Sequence, residues 1–144
     1  MPTLTDPHGW FTLEIPDGWE RETQDGVTTL SDPLGVGVVY ISGGRHAHGR
    51  QASFGRADFL RRFLGSIGIR AAQDAIDSAE RAGCHIYSYQ CENDDAYWRY
   101  WSVTDDETAL LISYRCAVAD AITEVDDVNE IVRSVRLYHS VPPQ

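Results

Sequence analysis

Apolar and polar residues alternate from Trp10 to Ile15. Phe11, Leu13 and Ile15 fall on one side and Thr12 and Glu14 on the other, the period of a half-buried strand. Pro16-Asp17-Gly18 then turns the chain. Trp19 follows the turn and reads as a lid folded over that strand's apolar face. Trp10 lies on the polar side and is the tryptophan expected at the surface. Val27–Ser31 is a second short strand, Asp32-Pro33-Leu34-Gly35 a turn, and Val36–Ser42 a third strand. The third is apolar on both faces, so it is expected at the centre of a sheet.

The period then changes. Ser53 can cap a helix reaching Leu64, with Phe59, Leu60, Phe63, Leu64 and Ile67 on one face and Arg56, Arg61 and Arg62 on the other. Gly65 and Gly68 supply its stop. Residues 69–82 are Ala-rich and helix-compatible but lack an apolar stripe. Three strands follow, Cys84–Cys91, Tyr97–Val103 and Ala109–Cys116, joined by the polar hairpin-length segments Glu92–Ala96 and Thr104–Thr108. Thr123 and Asp126 form a capping box before a last helix, whose apolar face is Val125, Val128, Ile131, Val132 and Val135. Strands, helix, three-strand meander and helix make a single α+β domain over 1–144: an antiparallel β-sheet flanked by helices.

Composition narrows the function classes. The 144 residues are 42% hydrophobic and 24% charged, which is globular, and no internal repeat is visible. The net charge is −10. A nucleic-acid binder must neutralise phosphates with cations, and none is expected as a partner here. The one basic window holds Arg45, Arg50, Arg56, Arg61, Arg62 and Arg70 against a single acid, Asp58, and reads as a solvated helix and its loops. All 12 cations are Arg. No lysine is present for Schiff-base chemistry or a P-loop. Cys84, Cys91 and Cys116 form neither a CxxC nor an even disulfide set. Residues 1–8 carry no basic, apolar leader, and no apolar run approaches the about 18 residues of a membrane span. A cytoplasmic protein with reduced thiols and no membrane insertion is expected.

Two segments resemble a known group. "FTLEIPDGWE" (11–20) looks like the opening of PsbP-like and Mog-like domains, where an amphipathic strand meets a Pro-x-Gly-Trp turn. "ALLISYRCAVADAITEVDDVNEIVRSVRL" (109–137) is similar to their close: a hydrophobic strand, a short linker, then a helix ending in Ile-Val-x-Ser-Val-Arg. The resemblance covers most of the chain in element order, and residues 43–82 carry no signature of it. It implies an α/β/α sandwich and no enzyme activity. Members include extrinsic photosystem proteins, a nuclear GTPase-binding factor and bacterial secretion-system adaptors or chaperones, so fold is shared and function is not.

The residues themselves hold few chemical constellations. No GxSxG occurs, and a cysteine inside a strand is ordinarily a small core hydrophobe. His46-Ala47-His48 would need further ligands from His8, His85 or an acid to hold a metal. No metal, cofactor or catalytic residue is assigned. Asp94-Asp95, Asp105-Asp106-Glu107 and the acids of 120–130 read as solvated loop tips and a helix N-terminus. The meander is more informative. With Cys91 set opposite Tyr97 and Val103 opposite Ala109, one face carries His85, Tyr87, Tyr89, Arg99, Trp101, Ser113 and Arg115, with Val103 and Leu111. The other carries Cys84, Ile86, Trp98, Tyr100, Leu110, Ile112, Tyr114 and Cys116. Two guanidiniums beside aromatic rings can receive a carboxylate or a peptide segment.

Tyr87, Tyr89, Arg99, Trp101 and Arg115 are therefore the candidate partner-binding residues. The function read from them together with the resemblance is a non-catalytic binding or adaptor/chaperone-like protein that recognises a protein or peptide partner, and the resemblance alone implies a link to a secretion system. The alternative is a small-molecule binder or small enzyme with a pocket on that Tyr/Arg face, and a third reading is a homodimer through the sheet or the Arg-rich helix.

Overall fold

The computed structural model describes residues 2–45, 56–81, 83–93, 95–105 and 108–138. Among these residues ten strands and two α-helices follow in the order β1 (Thr3–Thr5), β2 (Phe11–Glu14), β3 (Glu20–Gln24), β4 (Val27–Ser31), β5 (Gly37–Arg45), α1 (Arg56–Ser66), β6 (Asp77–Arg81), β7 (Cys84–Asn93), β8 (Ala96–Thr104), β9 (Thr108–Ala117), α2 (Val125–Arg133) and β10 (Arg136–Leu137). The His46–His48 loop and the Ser53 cap lie outside the described residues, as do Asp94, Asp106 and Glu107.

A seven-stranded antiparallel sheet runs β3-β4-β5-β9-β8-β7-β6, and a three-stranded sheet runs β1-β2-β10. The small sheet and α2 pack on one face of the large one; α1 covers part of the other. This is the α+β, antiparallel-sheet sandwich that the element order implies. β5 lies between β4 and β9, as its two apolar faces require. The main core joins Phe11, Leu13 and Ile15 of β2 to Leu30, Val39, Ile41, Leu110, Ile112 and Trp101 of the large sheet and to Val128, Ile131 and Val132 of α2. Trp19 is buried in that core, as a lid should be. Trp10 is half-buried and stacks on His8, ring centroids 4.5 Å apart.

Tight turns set the sheet. β3 and β4 pair up to Gln24↔Val27, which leaves Asp25-Gly26 as a two-residue hairpin turn, with φ of 52° and 79°. Both central residues then sit in the left-handed region, the turn that matches strand twist. β3 was not expected, because Glu-Arg-Glu-Thr-Gln has no apolar side; its five residues are all exposed at the sheet's edge. β6, at the other edge, is also exposed throughout. Residues 69–82 thus resolve into a short 3-10 turn (Gln73–Ala75) and an edge strand, not a helix. Charged edges of this kind oppose edge-to-edge pairing with another sheet.

The meander's register differs from the expected one by a residue on each side of β8. β7 pairs with β8 up to Asn93↔Ala96, and β8 with β9 up to Thr104↔Ala109. Asp95 takes φ 64°, so the first turn closes on two residues and the strands run further than the polar loop implied. Asp105 and Thr108 clasp the second turn: the Asp105 N–H donates to the Thr108 carbonyl (3.0 Å) and the Thr108 N–H to Asp105 Oδ1 (2.8 Å). Because side chains alternate, a one-residue slip turns all of β8 over.

The expected capping box at α2 does not form. The helix begins at Val125 with Glu124 at the cap position and no side-chain cap bond. The Thr123 N–H is already held by the Asp120 carbonyl at 3.0 Å. The buried Glu124 carboxylate accepts from the Tyr114 hydroxyl at 2.8 Å instead. Burial, then the bond to Glu124, push the Tyr114 hydroxyl well above the ordinary phenol range. Gly37 lies beneath this pair: a Cβ there would stand 2.6 Å from the Arg115 carbonyl oxygen and against the Tyr114 ring. Gly37→Ala is therefore expected to destabilise the protein by about 1–3 kcal/mol, read as a lowered urea midpoint with an unchanged slope. An unchanged midpoint would contradict this packing.

Candidate functional groove

The true register redistributes the five candidate residues. One row on the α1 side reads Tyr40, Ser113, Tyr100, Tyr89, and the next reads Val38, Arg115, Trp98, Cys91. Tyr87, Tyr89 and Arg115 belong to this side. Arg99 and Trp101 point to the opposite side, toward α2. The expectation that all five share one face is corrected, and the reason is the tight closure of the two hairpins.

On the α2 side, Arg99 lies over the Trp101 ring, 4.4 Å from its centroid, and its Nη1 donates to Asn129 Oδ1 of α2 at 3.0 Å. Burial lowers the Arg99 pKa from its ordinary value. Trp101 is 3% exposed and part of the main core. A crevice of about 220 Å³ beside them is bounded by Asp77, Ser88, Asn129 and Arg133. Both Arg99 and Trp101 are thus held by α2 and the core.

The α1 side is built differently. Leu60 and Leu64 of α1 are fully buried against Tyr100, with Tyr87 and Tyr89 packed around them. Past the C-terminal end of α1 no described element covers the sheet. There a half-open groove of about 480 Å³ is lined by Phe63, Ile67, Asn93, Ala96, Trp98, Tyr100, Ser113 and Arg115. Its floor is aromatic. Trp98 and Tyr100 stack with planes 2° apart and centroids 5.6 Å apart, and Tyr40 extends the row, its centroid 6.4 Å from that of Trp98. Phe63 tilts against Tyr100 at 6.0 Å, and Ile67 stands 46% exposed as the outer wall. The Arg115 guanidinium lies 5.7 Å from the Trp98 ring centroid, within cation–π range.

Arg115 is the one candidate residue that lines this groove. Trp98, Tyr40 and Phe63 were assigned to the core or not singled out. The signal for Trp98 was its position one residue before Arg99: parity alone decides which of the two meets Arg115, and parity was set by turn length. A depression of about 500 Å³ beside α1 is lined by Arg61, Arg62, Ile69 and Arg70. Cys84, Cys91 and Cys116 are free thiols, and no group of three or more metal-binding side chains occurs among the described residues. No described helix is long and apolar enough to cross a membrane.

No family model matches the chain, and no curated protein matches it in sequence. Solved structures do. The solution structure of cyanobacterial PsbP (CyanoP) from Synechocystis sp. PCC 6803 matches with TM-score 0.69 and 13% identity, over 95% of this chain and 92% of that one. LpqN of Mycobacterium tuberculosis, involved in cell envelope biogenesis, matches with TM-score 0.64 and 12% identity, over 96% and 90%. A protein from Bacteroides thetaiotaomicron VPI-5482 matches with TM-score 0.66 and 14% identity, over 96% of this chain. The present chain spans 48% of that protein's length. The chain thus has a distant structural relationship to the PsbP-like/Mog-like fold. The expectation of a cytoplasmic protein is corrected by the same findings, since the fold is shared with a protein of cell envelope biogenesis. That expectation rested on the first eight residues and on thiol count, neither of which reports compartment.

The groove floor carries a titration signature. Burial, then the neighbouring Cys91 and Tyr89, push the Tyr100 hydroxyl up to about 12. Below the ordinary phenol pKa of about 10, folded and unfolded chains both keep this proton. Between about 10 and about 12 only the folded chain keeps it, so stability falls as pH rises through that window. Tyr100→Phe is expected to make that fall shallower by about 1.4 kcal/mol per pH unit. Urea unfolding at intervals across the window measures it, and an unaltered slope would contradict the buried, protonated Tyr100.

Proposed function

We propose that this chain is a non-catalytic binding protein, an adaptor that seats a segment of a protein partner in the groove of Trp98, Tyr100 and Arg115. The observation that carries this reading is the half-buried Trp98 of the aromatic floor with the exposed Arg115 guanidinium beside it. Aromatic and Arg side chains are the usual anchors of protein interfaces. Arg115 is the contact residue carried over from the candidate set. Tyr87 and Tyr89 act from beneath, as packing that fixes Tyr100 and the end of α1. Arg99 and Trp101 hold α2 and take no direct part. The likeness to LpqN favours a partner of the cell envelope.

A second reading has one observation in its favour. The groove volume lies within the range of small-molecule sites, about 300–1,000 Å³, so a small apolar carboxylate is the alternative occupant. The groove's open side favours a peptide, because small-molecule sites bury most of their ligand.

Affinity capture from native lysate, repeated with single variants, tests the proposal. Arg115→Glu and Trp98→Ala are expected to weaken capture of a stoichiometric partner by about tenfold to a hundredfold. Arg99→Glu is expected to lower thermal stability, through loss of its Trp101 and Asn129 contacts, and to leave capture by the folded protein intact. Loss of the partner in Arg99→Glu with retention in Arg115→Glu would place the site on the α2 side and overturn the proposal.

A further inference from the structure

We infer that the groove recognises an internal acidic-apolar segment, with a side-chain carboxylate on Arg115 and an apolar side chain between Trp98 and the Phe63–Ile67 wall. This rests on the reading of the groove as a partner site and names the chemistry of its occupant.

Charge points to the carboxylate. The chain carries a net charge of −10, yet the groove's described lining holds one charged side chain, Arg115, and no acid. The rows that cross Arg115 and Ser113 supply only Val38, Trp98, Cys91, Tyr40, Tyr100 and Tyr89 from β5, β8 and β7. An exposed guanidinium over an indole face, with no acid at the β5, β8 or β7 positions of either row and Glu22 lying beyond Tyr40 and Thr29 at the sheet's edge, has its bidentate edge available to a planar anion. The net charge of −10 repels an extended polyanion and a single guanidinium does not offset it, so nucleic acid does not fit.

The backbone decides where that carboxylate sits in the partner. Chain-terminal carboxylates are caught by clusters of free backbone N–H groups. The groove floor is made by β8 and β9, and each is paired on both sides within the large sheet. Their amides are committed to the ladders, so the floor offers side chains and no nest. A carboxylate bound here is recognised by Arg115 alone, and a side chain projecting from a passing segment meets that geometry. The open side of the groove lets such a segment enter and leave. The Ser113 hydroxyl and Asn93 carboxamide, both in the lining, supply hydrogen-bonding groups for its main chain.

The test uses blocked peptides. Isotope-labelled protein is titrated with acetyl-Gly-Leu-Glu-Leu-Gly-amide, with its Gln counterpart, and with the Gln peptide ending in a free carboxylate, and backbone and indole NMR signals are followed. The Glu peptide is expected to shift Phe63, Trp98, Ser113 and Arg115 and to bind about tenfold tighter than the Gln peptide. In Arg115→Gln, an exposed position, the two blocked peptides are expected to bind equally. Equal binding of the blocked peptides to the unaltered protein would overturn the carboxylate and leave the groove reading standing. Tighter binding of the free-carboxylate peptide than of the Glu peptide would overturn the internal segment. The absence of saturable shifts at the groove residues would overturn both the inference and the groove reading.

Discussion

The register of β8 is the constraint on which the rest depends. Both of its neighbours, β7 and β9, are paired to it along nearly its whole length. Its side chains alternate between the covered α2 face and the partly covered α1 face, so each aromatic or Arg on it has one allowed side. Tyr97, Arg99, Trp101 and Val103 go to the α2 side, where Ile112 and Leu110 meet them; Trp98, Tyr100 and Ser102 go to the α1 side. A slip by one residue would drive Arg99 under α1 against Leu60 and Leu64, with no carboxylate among the described side chains packed there to pair it. Buried unpaired charge is costly, so composition and turn geometry enforce the same register.

A second constraint fixes the end of the sheet at which the groove opens. Gly37 lets the Tyr114 ring lie flat on β5, and Tyr114 in turn holds Glu124 at the start of α2. α2 is also tied to the small sheet, where the Ser134 hydroxyl accepts from the Glu14 N–H at 2.8 Å. These contacts anchor α2 firmly over one face. On the other face α1 stops at Ser66, where the Ile69 N–H turns back to the Leu64 carbonyl. A helix that ends there cannot cover Tyr40, Trp98 and Arg115. The groove is thus a consequence of helix length as much as of side-chain choice.

Much of the fold was legible because apolar periodicity reports burial. Phe11, Leu13 and Ile15, Val39 and Ile41 of β5, Leu60 and Leu64, and Val128, Ile131 and Val132 all lie in the core their spacing implies, while the other face of β5, with Val38 and Tyr40, is only half-buried. Edge strands were illegible for the converse reason: β3 and β6 bury nothing, so no period marks them. Asp25-Gly26 was the available signal for β3, since that dipeptide makes a tight hairpin turn. The candidate site was half legible. The residue types were right, aromatic rings with arginine on the meander, but their grouping depended on turn length, and polar residues that continue a strand look the same as polar residues that leave it. Glu92 and Asn93 continue it. Glu124 was read as dipole charge because sequence does not show that a tyrosine hydroxyl would reach it.

One placement decides the site: Arg115 and Trp98 share the open face while Arg99 and Trp101 share the closed one. Fluorine NMR of protein labelled with 5-fluorotryptophan tests it directly. Arg115→Gln should move the Trp98 resonance and leave Trp101 in place, Arg99→Gln should do the reverse, and a soluble paramagnetic probe should broaden Trp98 well before Trp101. If Arg99 and Arg115 both perturb the same tryptophan, the two guanidiniums lie on one face, and the groove described here is not the site.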